Sequence, residues 1–142
     1  MPPGKKERTD PAYLREQGKR EAQGKKVRKV TFCFHKLIPT PPGQSWDEWE
    51  KEGLLALLLK RIQFVDQHSC QEAIQKQYLK PYTKVDFPPD SAFRHPKHIP
   101  EVAWTVMHIT NHSKEVVVGY IEDDIFYIVF LDKEHRFWPT TR

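Results

Sequence analysis

The first clear pattern along the chain is an alternation of apolar and more polar side chains at residues 30–38. Val30, Phe32 and Phe34 occupy every second position, which is the period of a strand that buries one face. A run rich in proline and glycine follows at residues 39–43 and ends the pattern. The sequence therefore predicts an N-terminal β-strand over residues 30–38.

Two capping boxes predict the beginnings of two helices. Ser45 is followed three positions later by Glu48, and Ser69 by Glu72; in this motif each side chain bonds the backbone N–H of the other residue. After the first box, apolar residues recur at spacings of three to five, as a helix with one buried face requires: Trp46, Trp49, Leu54, Leu57, Leu58, Ile62 and Val65. Pro81 ends the second helix. The short link between the helices predicts an antiparallel α-hairpin.

The C-terminal third of the chain is rich in residues that favour strands. We expect strands at residues 102–110, 115–121 and 125–131, with the acidic turn 122–124 joining the last two as a hairpin. Residues 125–131 are apolar on both faces, which is typical of a central strand covered on both sides. The element order β-α-α-β-β-β predicts an α+β fold, an antiparallel sheet of about four strands packed by the α-hairpin, as one domain over residues 30–142.

Charge divides the chain into two unequal parts. Residues 1–36 contain eleven Lys or Arg against four Asp or Glu, so the net charge of +4 comes from this part. Residues 1–29 hold few large apolar side chains, which predicts a basic, disordered arm. Its basic side chains are candidates for binding nucleic acid by charge: Lys5, Lys6, Arg8, Lys19, Arg20, Lys25, Lys26, Arg28 and Lys29. A solvated tail without a partner is the alternative.

Several classes of protein are disfavoured by what the sequence lacks. The two cysteines, Cys33 and Cys70, are too few for a disulfide scaffold, and residues 1–29 contain no apolar segment of a secretory signal. The longest apolar run, residues 54–59, is much shorter than the roughly 20 residues of a membrane-spanning helix. Walker, G-x-G-x-x-G, G-x-S-x-G and H-E-x-x-H motifs are absent. We therefore expect a cytoplasmic protein with no membrane partner and no cofactor.

The element order over residues 30–136, together with the basic lead-in, resembles the RelE/ParE superfamily of small bacterial toxins. RelE-type members cleave messenger RNA on the ribosome without a metal, whereas ParE-type members inhibit gyrase. A second similarity is local: Phe126-Tyr-Ile-Val-Phe-Leu-Asp132, followed by His135, is similar to the end of small bacterial proteins of no assigned activity with an FYIVWLD-x-x-H-like pattern. The first resemblance implies an RNA-directed toxin of a toxin–antitoxin or phage-defence system, with RNA or the ribosome and an antitoxin protein as partners.

Metal-free RNA cleavage requires proton-transfer groups and cations that stabilise the additional charge on the phosphate. His135 and Arg136 directly follow the predicted central strand, which could present them at one end of the sheet. Arg94 and Lys84 lie in the proline-rich segment, and Tyr127 lies on the strand itself. These five residues are the predicted catalytic group of an endoribonuclease, with His135 transferring the proton. The alternative is that they are ordinary polar residues at the surface.

Other residue pairs in the sequence are also compatible with a functional site. Asp132 and His135 could pair as carboxylate and base, and four histidines could be considered as metal ligands: His95, His98, His108 and His135. Their spacing matches no recognised metal motif, so we expect no metal. Cys33 and His35 share one face of the first strand, as a nucleophile and its base would, although a structural cysteine explains the same pattern. A non-catalytic module that binds nucleic acid or a ribonucleoprotein through the arm also accounts for the charge.

Overall fold

The computed structural model describes residues 28–82 and 87–139. Eight elements follow one another within them: β1 (Thr31–Cys33), α1 (Trp46–Lys51), α2 (Leu54–Val65), α3 (Cys70–Gln75), β2 (Lys80–Pro81), β3 (Thr105–His108), β4 (Val116–Glu122) and β5 (Ile125–Asp132). The strands form one sheet in the order β1-β5-β4-β3-β2. β1 is parallel to β5, and the other neighbours are antiparallel. The predicted α+β class is confirmed, but the sheet is mixed and has five strands instead of an antiparallel four.

Both predicted helix beginnings are confirmed by the capping geometry. The Ser45 hydroxyl oxygen accepts a hydrogen bond from the Glu48 backbone N–H at 3.2 Å, and the Glu48 carboxylate accepts from the Ser45 N–H at 3.0 Å. Ser69 and Glu72 form the same reciprocal pair, with both distances 3.1 Å. The prediction of only two helices was wrong, because Gly53 adopts a left-handed φ of 73° and divides the first helix into α1 and α2.

The first strand is shorter than predicted and pairs in a different direction. Its ladder covers Thr31–Cys33, with Cys33 opposite Tyr127 of β5. A two-residue period shows which side chains share a face, but it carries no information about the direction of the neighbouring strand. Just before β1, the Val30 N–H donates to the His68 carbonyl at 2.9 Å. This bond joins the beginning of the sheet to the turn between α2 and α3.

The three C-terminal strands are confirmed, with shifted ends. β4 and β5 form the predicted hairpin, and Asp123 and Asp124 occupy its turn with φ of 55° and 67°. β3 covers Thr105–His108, whereas the sequence predicted a strand over residues 102–110. β2, which consists of Lys80–Pro81, was missed because two residues carry no periodicity.

Both faces of the sheet are buried, as the apolar character of β5 predicted. The helices cover one face and form a core with it: Trp49, Leu58, Val65, Ala73, Met107, Val117, Phe126, Ile128 and Leu131. The segment after β2 and the residues after β5 cover the other face: Phe93, Ile99, Trp104, Val118, Phe130 and Phe137. The proline-rich segment therefore completes a second core, and the chain that follows β5 is held against the sheet.

A β-bulge interrupts the pairing of β4 with β5 between Val118 and Gly119. A Cβ atom at Gly119 would lie 1.7 Å from the Tyr127 carbonyl oxygen and 3.0 Å from the Ile128 Cα. These atoms belong to the backbone of the central strand, so only glycine permits this approach. The bulge thus fixes the register of β5, and with it the position of the residues that follow Asp132.

Candidate active site

The chain turns sharply after β5, and the buried Asp132 holds the turn. Its carboxylate accepts hydrogen bonds from the backbone N–H groups of Arg136 at 2.9 Å and Phe137 at 2.8 Å. Burial raises the pKa of Asp132, although these two bonds and the nearby His135 oppose the shift. The carboxylate is thus committed to the backbone, and the structure does not show the pairing in which Asp132 orients the His135 ring.

His135 adopts a left-handed φ of 59° in this turn, and its half-buried ring faces His108 at the end of β3. The two ring centroids are 5.4 Å apart. Each ring places Nδ1 near a backbone carbonyl oxygen, that of Trp138 at 3.0 Å for His135 and that of Ser113 at 3.4 Å for His108. Because a carbonyl can only accept, Nδ1 carries the hydrogen in both rings, and Nε2 is the nitrogen that can exchange a proton.

A polar cleft of about 180 Å³ lies beside His108. Its lining residues come from α2, β2, β3 and the connections next to them: Arg61, Gln77, Tyr78, Lys80, His108, Thr110, Asn111 and Ser113. None of these lining residues is acidic, whereas three are basic. The Arg61 guanidinium is fixed in position, since Nη2 donates to the Asn111 side-chain oxygen at 2.8 Å. The cleft therefore offers cationic groups to an anionic ligand such as a phosphate.

The surroundings of His108 favour its neutral imidazole. Burial lowers the pKa of His108 below the ordinary value of 6.5, and the positive charges of Lys80, His135 and Arg61 lower it further. The hydrogen bond to the Ser113 carbonyl opposes this shift. An imidazole that is neutral near pH 7 can accept a proton, which is the property of a general base.

The two arginines of the predicted catalytic group lie on neighbouring segments outside the cleft. Arg136 follows His135 directly in the chain, and its side chain is exposed. The Ala92 N–H donates to the Arg136 carbonyl at 3.1 Å, which brings the segment carrying the exposed Arg94 next to the turn. Neither arginine lines the cleft, but both side chains are exposed, where a polyanion that extends beyond the cleft would meet them.

The structure does not bring Tyr127 to His135. Tyr127 lies on β5 five residues before Asp132, roughly 17 Å away along an extended strand. Its ring is next to His35 and Tyr120, at centroid distances of 5.9 Å and 5.1 Å. Lys84, the remaining member of the predicted catalytic group, lies outside the described residues.

Two of the basic residues assigned to the arm are described, and both touch the fold. The Arg28 guanidinium is 3.3 Å from the carboxylate of Asp123 and 3.4 Å from that of Asp124 in the hairpin turn. Lys29 is exposed, and its backbone forms a β-bridge with Ser69. The other arm residues lie outside the described residues: Lys5, Lys6, Arg8, Lys19, Arg20, Lys25 and Lys26. The charge of Arg28 is thus partly balanced within the fold.

The sequence pointed to His135 but not to the residues that line the neighbouring cleft with His108. Arg61, Lys80 and His108 belong to α2, β2 and β3, and only the three-dimensional fold brings them together. The sequence pointed to His108 solely as a metal-ligand candidate. One feature of the sequence could have indicated a functional role for His108: it is a titratable side chain at the end of an otherwise mostly apolar strand.

The described residues contain no group of three or more His, Cys, Asp or Glu side chains that could hold a metal ion. Within residues 28–82 and 87–139, no helix has both the length and the apolar character needed to cross a membrane. Comparisons with models of protein families, with curated proteins and with solved structures find no significant match. The geometry of the cleft is therefore the basis for a functional assignment.

Proposed function

We propose that this protein is an RNA-directed toxin in which the cleft and His135 form a metal-free endoribonuclease site. One observation supports the proposal most directly: His108, whose ring is 5.4 Å from that of His135, lines a cleft together with Arg61 and Lys80, and none of the residues that line it is acidic. Two histidines and nearby cations are the groups that RNA cleavage without a metal requires. The resemblance to RelE-type toxins, which rests on the element order predicted from residues 30–136, suggests RNA as the substrate.

The proposed reaction begins when a ribose 2′-hydroxyl oxygen attacks the adjacent phosphorus. His108, which is neutral near pH 7, accepts the hydroxyl proton at Nε2, and protonated His135 donates a proton to the departing 5′-oxygen. The bond from phosphorus to the 5′-oxygen breaks, leaving a 2′,3′-cyclic phosphate and a free 5′-hydroxyl. Arg61 and Lys80 stabilise the additional negative charge during the transfer. Proton exchange with water then restores both histidines.

Cleavage of a single-stranded RNA oligonucleotide in the presence of EDTA tests this site. His108→Gln and His135→Asn should each lower the rate by roughly 10²–10⁴-fold, while both proteins remain folded under the assay conditions. Asparagine is chosen at position 135 because it tolerates the left-handed backbone conformation there. His112→Gln is the matched control, since His112 is exposed and does not line the cleft. A 2′-deoxynucleotide at the cleavage position should block the reaction.

Full cleavage activity in a folded His108→Gln or His135→Asn protein would reject the assigned site. Regulated expression in a bacterium, scored together for growth arrest and RNA integrity, tests the toxic function itself. Growth arrest with intact RNA would point to a different target, such as gyrase, and no arrest at all would contradict the toxin.

A non-catalytic nucleic-acid-binding module is the second candidate, and the charge of residues 1–36 favours it. Each Lys or Arg that neutralises a phosphate releases a counterion, so binding through this part should weaken steeply with salt. Deleting residues 1–27 should then flatten the salt dependence and weaken binding to all sequences alike. RNA binding that depends on this segment, without any cleavage, would favour the module over the enzyme.

A further inference from the structure

A second cluster of chemically reactive groups lies on β1 and β5, away from the cleft. The Cys33 sulfur is 2.8 Å from Nδ1 of His35. The rings of His35 and Tyr127 form a T-shaped pair with centroids 5.9 Å apart, and Tyr127 stacks on Tyr120 at 5.1 Å. These four residues, Cys33, His35, Tyr120 and Tyr127, form the thiol cluster. Tyr127 therefore belongs to a different cluster of side chains from His135.

The cysteine and the histidine of the thiol cluster are accessible from solvent. His35 is exposed, Cys33 is partly exposed, and β1 is the first strand at one edge of the sheet. The other thiol, Cys70, is only 7% exposed, and burial together with the nearby Asp124 raises its pKa to about 11. The chain therefore contains one accessible thiol beside an imidazole, and a second thiol that stays protonated and shielded.

We propose that Cys33 is a reactive thiol that hydroperoxides oxidise to a sulfenic acid, with His35 as the base that activates it. His35 takes the thiol proton at Nδ1, and the resulting thiolate attacks one peroxide oxygen. The S–O bond forms as the O–O bond breaks, and the second oxygen leaves with the proton of the imidazolium as water or an alcohol. The sulfur loses the two electrons that the peroxide gains.

The immediate contacts of Cys33 and His35 favour this chemistry. A base within hydrogen-bonding distance of a thiol raises the fraction of the nucleophilic thiolate. On β4, burial and then the charge of Glu122 raise the pKa of Tyr120, so Tyr120 remains a neutral phenol and adds no negative charge beside the thiolate.

Labelling of the folded full-length protein with iodoacetamide, quantified at each cysteine by mass spectrometry, tests the activation by His35. At pH 7, Cys33 should react at least about tenfold faster than the internal control Cys70, and His35→Asn should slow Cys33 by about tenfold. At pH 10, which is above the reference value of about 8.5 for a free thiol, His35→Asn should slow the labelling of Cys33 much less than at pH 7. His98→Gln, a change at another exposed histidine, is the matched control and should leave labelling unchanged.

Oxidation is tested directly with hydrogen peroxide and dimedone, which traps sulfenic acids. The dimedone adduct should form on Cys33, should be absent from Cys70, and should decrease in His35→Asn protein. Equal iodoacetamide rates at Cys33 in the wild type and in His35→Asn protein at pH 7 would overturn the proposal, as would the absence of an adduct. His108→Gln should leave Cys33 labelling unchanged, so this test is independent of the ribonuclease site.

Discussion

Replacing Gly119 with alanine should destabilise the fold severely, although it adds only one methyl group. The new Cβ would lie 1.7 Å from the Tyr127 carbonyl oxygen, 2.7 Å from the carbonyl carbon and 3.0 Å from the Ile128 Cα. All three atoms belong to the backbone of β5, which is paired with β1 on its other side. No side chain can rotate to relieve this contact, so the strands themselves must move.

The size of the effect follows from that movement. β4 and β5 would have to separate by roughly 1.5 Å beside the bulge to restore an ordinary nonbonded contact. Such a separation breaks the adjacent ladder hydrogen bonds, whose N···O distances are normally about 2.9 Å. Two buried bonds left unmade, at about 1–3 kcal/mol each, give a loss of about 2–6 kcal/mol in the free energy of unfolding. A typical domain has a total stability of only about 5–15 kcal/mol.

Urea unfolding followed by tryptophan fluorescence measures this loss. Gly53→Ala is the matched control, because Gly53 has a φ of +73° but no atom lies within 4 Å of its added Cβ. That substitution should cost only the strain of the left-handed conformation, about 1 kcal/mol, and Gly53→Asn should cost less. If Gly119→Ala were no more destabilising than Gly53→Ala, the close approach of β4 to β5 would be refuted.

Two further predictions concern stability. His108→Gln should flatten the pH dependence of the free energy of unfolding. The folded state lowers the pKa of His108, so this histidine contributes stability above its ordinary pKa of 6.5. That contribution is lost as the pH falls through the lowered pKa. Urea unfolding should show that the free energy of unfolding decreases less from pH 7.5 to pH 5 in His108→Gln than in the wild type or in His112→Gln. Equal decreases in all three proteins would contradict this prediction. Ser69→Ala should remove the cap of α3 and cost about 1 kcal/mol, whereas Ser69→Asp should keep the cap. Thermal unfolding that ranks the two variants equally would show that the cap does not stabilise the fold.

The elements that the sequence predicted are those whose determinants are local. The capping boxes at Ser45 and Ser69 involve residues only three positions apart, and the hairpin of β4 and β5 depends on a short turn. The parallel pairing of β1 with β5 depends on how all the intervening elements pack, so no local pattern reveals it. Gly53 could have been recognised as a helix break, but the apolar spacing continues across it and conceals the interruption.

The only residue of the candidate site to which the sequence assigned a catalytic role is His135, which lies at the end of a predicted strand. His135 directly follows β5, so its position could be inferred from the strand pattern. His108 and Arg61 belong to other elements, and nothing in a single sequence relates their side chains to that of His135. Tyr127 was grouped with His135 because both were assigned to the same strand region. The roughly 3.3 Å rise per strand residue would have placed them at opposite ends.

The adjacency of β1 and β5 also sets an order of events during synthesis and folding. Thr31 and Ile125 are paired in the sheet although they are roughly ninety residues apart in sequence, whereas β3, β4 and β5 pair through short connections. Closing the longer loop costs more entropy, so β1 should add to a sheet that is already formed. During synthesis on the ribosome, β1 emerges long before β5, so the backbone groups of β1 remain unpaired until β5 has been made. Cys33 belongs to β1, so its thiol in a nascent chain is exposed to oxidants before the sheet has formed around it.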